Sequence, residues 1–316
     1  MMDYPPRGLI ANLVTPLNRS GRPDAEVLIG LMRRLTSEIS AFLAGSLVTG
    51  EAFFLEAEER LEILAAAVEA CSYPTALFFE VTGRTEEDTL ELLTRAERLL
   101  GASPVKTTVF FLLTPLVYRG NRNLPQHLSR LGRITRRRLV VSTDPVVSAA
   151  ARPGLHHKNL RTEILKKIST NEQIVGLVFQ GRLNRALNYQ RALKLRAGFR
   201  FYDGDETNFL ESPSSSGLVS CGANLVPQAW ADVVGSSLNV FDAQRLYPDH
   251  LHQIWQSGRI ARTLHRLYRP KPAAFLKQAL RLLNILPSAA LAAGQPGLDD
   301  GEIEQLTGLL RELNLL

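Results

Sequence analysis

The sequence predicts an α/β fold, a closed (β/α)8 TIM barrel with a C-terminal helical extension. Two observations carry this expectation. Eight short apolar runs alternate with longer amphipathic stretches along residues 8–226, the pattern of βαβ units over the length such a barrel requires. Beyond Pro227 the apolar runs stop, and helical stretches follow, separated at Pro270, Pro272, Pro287, Gly294 and Gly297. The chain therefore divides into a barrel over residues 1–226 and a helical domain over residues 227–316. An open doubly wound sheet would carry a glycine-rich dinucleotide fingerprint after an early strand, and none is found.

The first run, 8–14, leads through a turn-rich stretch to Asp24, which is placed to cap a helix carrying Val27, Leu28, Leu31 and Leu35 at helical spacing. The second run, 41–48, precedes a helix with Leu61, Ile63, Leu64 and Val68. The third, 75–81, precedes Thr85 and, three residues on, Asp88, a capping box with Asp in place of Glu. The fourth, 107–113, is the most strand-like segment of the chain. The fifth spans 139–143, and the sixth, 174–179, introduces an amphipathic helix over 183–196. The seventh and eighth occupy 199–202 and 218–220.

Composition narrows the functional classes. Hydrophobic residues at 45% and charged residues at 22% suit a chain that buries a large core. No window reaches the roughly 18–20 apolar residues of a membrane span, and the N-terminus has neither the basic nor the apolar region of a signal peptide. Two cysteines, Cys71 and Cys221, are too few for a disulfide framework. The expected location is cytoplasmic, with no membrane partner. A net charge of +6 raises the question of nucleic acid. The arginines, however, are spread along helical stretches. The one tight run, Arg136 to Arg138, precedes a strand, at the end of a barrel where sites are not built. A solvated arginine-rich surface with no nucleic-acid partner is expected.

Barrel sites form at the C-terminal ends of the strands. The positions there are Thr15, Thr49 to Glu51, Glu80 to Gly83, Thr114, Ser142 to Asp144, Val178 to Gln180, Asp203 to Glu206 and Ser220 to Asn224. Substrate-binding candidates among them are Thr49, Gly50, Glu51, Thr114, Ser142, Asp144, Gln180, Asp205 and Ser220, with Tyr118 in the loop after strand four. Carboxylates from different strand ends, Glu80, Asp144 and Asp203, would be the ligands if a divalent cation were held here. The stronger expectation is that these acids cap helices or pair with arginines, so neither a metal nor another cofactor is assigned. His156 and His157 form a loop pair. Cys221 has no evident partner base and reads as a small buried thiol.

The order and spacing of these segments resemble the dihydrodipicolinate synthase / N-acetylneuraminate lyase family of pyruvate-dependent class I aldolases. The matching pieces are Val14-Thr15-Pro16, Thr49-Gly50-Glu51 in place of the family's Gly-Thr-Thr-Gly-Glu loop, and Thr114-Pro115 in place of its Pro-Tyr-Tyr segment. Further matches are Ile174-Val175-Gly176, Gly204-Asp205-Glu206 and Gly217-Leu218-Val219-Ser220, followed by Ala223, Asn224 and Pro227. The resemblance implies a small keto-acid or carbonyl ligand and a homo-oligomer, dimer or tetramer.

The departures carry more information than the matches. In the family a strand-six lysine forms a Schiff base with the keto acid, which needs an amine whose pKa is lowered by burial. The resemblance places that lysine at Val178 and the proton-relay tyrosine at Val117, with Leu116 beside it and Val48 at the first threonine of the loop. The strand-five Tyr-Asn-x-Pro segment becomes Ser142-Thr143-Asp144-Pro145. Of seven lysines, Lys106 precedes strand four, Lys166, Lys167 and Lys194 fall on outer helices, and Lys271 and Lys277 lie in the tail. Only Lys158, in the loop after strand five, is on the site side. The expected outcome is a barrel that has lost classical aldolase or lyase activity, a pseudoenzyme or small-ligand-binding protein. One alternative is a lyase of altered, metal- or acid/base-dependent mechanism; another is an active class I lyase using an unexpected lysine such as Lys158.

Overall fold

The apolar runs form strands buried on both faces, which is why they lack the alternation of a half-exposed strand. A computed structural model describes residues 4–72, 74–102, 106–116, 123–151, 159–193, 196, 198–239 and 249–316. The strands are β1 (Gly8–Asn12), β2 (Ala41–Ala44), β3 (Ala76–Glu80), β4 (Val109–Leu113), β5 (Leu139–Thr143), β6 (Ile174–Phe179), β7 (Arg200–Asp203) and β8 (Gly217–Ser220). They follow chain order round a closed barrel, with β8 parallel to β1. Strand two stops at Ala44, short of the apolar run, because residues 46–52 fold into a loop in which Ser46 accepts from Gly50 N at 2.9 Å and Ala52 N at 3.1 Å.

Side chains alternate between the barrel interior and the helical layer. Ile10, Leu43, Phe78, Phe110, Val140, Val178 and Tyr202 pack together inside the barrel. Leu9, Phe42, Phe79, Phe111, Val141, Phe179 and Phe201 join the larger core between sheet and helices. Burying each such side chain contributes roughly 1.5–3 kcal/mol. The alternation is interrupted once. Leu139 pairs with Ile174 but Val140 pairs with Gly176, so β6 carries an extra residue at this point. Above the slip, Ser142 lies opposite Val178, and Val178 opposite Tyr202. The slip thereby decides which face Val178 presents.

The barrel helices are α1 (Ala25–Leu35), α2 (Ala57–Ala70), α3 (Glu86–Ala102), α4 (Leu124–Ile134), α5 (Pro145–Ala151), α6 (Thr162–Ser169), α7 (Leu183–Leu193) and α8 (Glu206–Glu211). Asp24 caps α1 by accepting from Val27 N at 3.1 Å, as its position predicts. Thr85 and Asp88 exchange side-chain to backbone bonds at 3.0 Å each, completing the expected capping box at α3. After β8 come α9 (Pro227–Leu238), α10 (Asp249–Tyr268), α11 (Pro272–Leu282) and α12 (Asp300–Glu312). Helix α9 buries Trp230, Val233 and Val234 and packs on β1 and β8. Helix α10 packs on α9 and α8, and α11 bridges α10 and α12. Pro272 lies in the first turn of α11, where its missing N–H is not needed.

Candidate functional site at the barrel mouth

Continuing the interior alternation past the strand ends places Asn12, Glu80, Ser142 and Val178 on the inner face at the C-terminal mouth. Val178 is 3% exposed and packed among the apolar interior residues. Gln180, half-buried, leans beside it. A Cβ added at Gly204 would lie 2.8 Å from Gln180 Cγ and 3.0 Å from Val178 Cγ1, so only glycine leaves these side chains in place.

Glu80 supplies the interior carboxyl of the mouth. It lies opposite Leu112 and two residues beyond Phe78, both interior positions. Its Oε1 accepts from Thr82 Oγ1 and from Thr114 N at 3.2 Å, while Thr114 Oγ1 reaches Oε2 at 3.4 Å. Arg60, itself buried on α2, does not bond the carboxylate. It donates to the main-chain carbonyls of Thr82 at 2.8 Å and Glu80 at 2.6 Å. Burial pushes the Glu80 carboxyl up to about 7, against the opposing pull of the Thr82 hydroxyl and the Arg60 charge. The mouth therefore contains a carboxyl whose protonated form burial favours.

Other polar positions also serve the structure. Asp144 accepts from Val147 N at 3.1 Å, capping α5, and its charge is still felt by the thiol of Cys221. Asp205 caps α8, accepting from Thr207 N at 2.8 Å and Asn208 N at 3.2 Å. Asp203 shares the outward face of Phe201 and accepts from Ser214 N at 2.8 Å; burial pushes it up to about 7. Gly50 O accepts from Thr15 Oγ1 at 2.8 Å. Ser220 donates to Glu206 and accepts from Ala223 N at 3.0 Å. Glu80, Asp144 and Asp203 are not brought together: among the described residues no three His, Cys, Asp or Glu side chains form a group able to hold a metal ion.

Two buried carboxylates were legible in the sequence only as members of short motifs. Glu51, read as a binding position, is fully buried and ion-paired with Lys277 of α11, and it accepts from Ala292 N at 2.8 Å. Lys277, read simply as a tail residue, is equally buried and donates to Ala290 O at 2.8 Å. Burial pulls its ammonium below the usual lysine range, while Glu51 opposes that shift. Glu206 accepts from Ser220 Oγ, Gly222 N at 2.8 Å and Tyr268 Oη, with His265 Nε2 at 3.5 Å. Nothing in local periodicity signals either cluster, because the partners come from the tail.

Between them lies Cys221. Its Sγ is 3.0 Å from Thr49 Oγ1 and accepts from Asn12 Nδ2 at 3.5 Å. The thiol is half-buried rather than buried as the sequence suggests; desolvation, then the charge of Glu206, pushes it up to about 12, so it is protonated and poorly nucleophilic, as its lack of a partner base suggests. Val117, Tyr118, His156, His157 and Lys158 lie outside the described residues.

A closed parallel barrel with polar residues at its strand C-termini has the architecture of an aldolase-type β/α barrel. The chain belongs to the dihydrodipicolinate synthetase family, which matches it over residues 5–257. Solved structures agree in fold. Dihydrodipicolinate synthase from Thermotoga maritima shares 19% identity at a TM-score of 0.81, covering 99% of this chain and 100% of that one. YagE, a prophage protein of the dihydrodipicolinic acid synthase family from E. coli K12 in complex with pyruvate, shares 16% identity at 0.81, covering 98% and 99%. A chloride-inhibited dihydrodipicolinate synthase from Acinetobacter baumannii, complexed with pyruvate, shares 20% at 0.81, covering 98% and 99%. Comparison with curated proteins gives no match. Among the described residues no helix is long and apolar enough to cross a membrane.

Proposed function

We propose that this chain is a family barrel without Schiff-base chemistry, which holds a small keto-acid or carbonyl ligand non-covalently at its mouth. The observation supporting this reading is Val178, an interior side chain of β6 between Ser142 and Tyr202, at the position the resemblance gives to the lysine. A branched hydrocarbon offers no lone pair to a carbonyl carbon. Thr49, Thr114, Ser142, Asp144 and Gln180 are the polar groups assigned to the ligand, with Glu80 beneath Thr114. Borohydride reduction in the presence of pyruvate, followed by intact-mass measurement, should leave the protein mass unchanged. A pyruvate adduct would overturn the reading, and peptide mapping would then show whether Lys158 or another lysine carries it. The Val178→Lys variant sharpens the test: an amine buried here would have a lowered pKa, and it should trap pyruvate if the mouth accepts keto acids.

The raised carboxyl of Glu80 favours a second reading, a lyase that works by acid/base chemistry on a small carbonyl substrate. It predicts exchange of the α-protons of pyruvate in deuterium oxide, visible by NMR and absent from Glu80→Gln. We extend the proposal to a cytoplasmic homo-oligomer, dimer or tetramer, checked by light scattering on the eluted protein. The working division stays at residues 1–226 and 227–316, with α9 the helix that follows the last strand and packs on β8 and β1.

A further inference from the structure

We propose that the C-terminal helices clamp the barrel mouth, with Lys277 and Tyr268 acting as positioning residues for the loops after β2 and β8. Lys277 grips a carboxylate on the first loop, and Tyr268 one at the start of α8 that itself holds the second. Lys277 of α11 pairs with Glu51, whose backbone is held at φ 57, a region costly for a residue with a side chain. The same carboxylate takes the amide of Ala292, so two points of the tail converge on one loop residue. Tyr268 of α10 donates to Glu206, which in turn accepts from Ser220 Oγ and Gly222 N at the end of β8. The fit there is close: a Cβ at Gly222 would sit 2.3 Å from Tyr268 Oη and 2.5 Å from Trp230 Nε1. His265 adds a second tail contact to Glu206 and is itself bonded to Thr207 Oγ1 at 3.1 Å.

The two clamped loops meet over the barrel interior. Thr49 of the first touches Cys221 of the second at 3.0 Å, and Asn224 ties the second loop to β1 through Asn12 O at 2.6 Å. Releasing either carboxylate from its tail partner leaves a buried acceptor or charge uncompensated, and the loop must move to reach water. The tail thus fixes the position of the polar groups that rim the mouth.

Cys221 reports the state of this contact. In a full-length Cys71→Ala background, its reaction with Ellman's reagent is followed for Lys277→Met, Tyr268→Phe and Lys271→Met. The last removes an ion pair within the same tail, Lys271 to Glu302 at 2.7 Å, that touches neither loop. The two clamp variants should react about tenfold faster or more, the scale of one lost buried hydrogen bond on a local opening equilibrium. Lys271→Met should match the parent, and far-UV circular dichroism should be unchanged throughout. Parental rates in folded clamp variants would overturn the proposal, as would equal acceleration by Lys271→Met. Should Lys277→Met fail to fold, the neutral pair Glu51→Gln/Lys277→Met takes its place, with acceleration supporting the clamp and a parental rate refuting it.

Discussion

The two sides of the barrel mouth handle buried charge in opposite ways. On the β2 and β8 side, Glu51 has an ammonium partner and Glu206 is ringed by a tyrosine, a serine, an amide and a histidine. On the β3 and β4 side, Glu80 is met by threonine hydroxyls and one amide, while the Arg60 guanidinium goes to main-chain carbonyls. On the first side the tail supplies the partners of both carboxylates. On the second, desolvation is left in the carboxyl, which keeps its proton up to about 7. The contrast teaches that one half of the mouth is scaffold, and the other holds a carboxyl whose protonated form burial favours.

The largest expected effect tests the scaffold half. Lys277→Met strands a fully buried carboxylate and should cost about 3–5 kcal/mol in a urea unfolding experiment. Adding Glu51→Gln should recover part of that loss, since neutral partners need no compensating charge. If the single and double variants are equally unstable, the pair contributes packing alone.

The Glu80 side is broken by pH. Its pKa rises from 4.5 unfolded to about 7 folded, so between those values the folded chain binds more protons. Stability is then greatest below about 4.5 and falls as pH rises to 7, by at most about 3 kcal/mol from this group. Asp203, shifted in the same direction to about 7, adds to the slope. Glu80→Gln should flatten the dependence and raise stability at pH 8, where thermal melts of both proteins are compared. An unchanged slope would mean Glu80 is ionised in the fold.

Smaller effects sharpen the comparison further. Tyr268→Phe removes one donor from Glu206 and should cost roughly 1–2 kcal/mol in the same unfolding assay. Thr82→Val removes a hydrogen bond that lowers the Glu80 pKa, along with the nearer acceptor of Thr114 N, so the midpoint of the pH dependence should move up by about one unit. A downward move would contradict the assigned donor.

The barrel was legible in the sequence because its signals are local. Eight apolar runs, the Asp24 cap and the Thr85–Asp88 pair each depend on residues within a few positions of one another. The site was legible in part. Reading Glu80, Ser142 and Val178 as strand-end residues located the mouth, and motif order alone identified the family. Glu51 and Ser220 were read as ligand-facing because the sequence could not show their partners. Glu51 bonds an amide 241 positions away, and Glu206 emerged as a hub only when α10 was seen against α8. Lys277 is silent in the sequence for the same reason, since a tail lysine carries no mark of burial.

What the sequence by itself determined is that strand six brings a hydrocarbon, and no amine, to the end where barrel chemistry occurs. Only the tertiary structure decided which polar side chains face inward. Orientation along a strand has a period of two and is reset at each loop, and the single slip between β5 and β6 sets the face of Val178. It also decided that the carboxylates nearest the tail are spent on holding the fold, because burial demands a partner and the chain brings one back from its C-terminal helices.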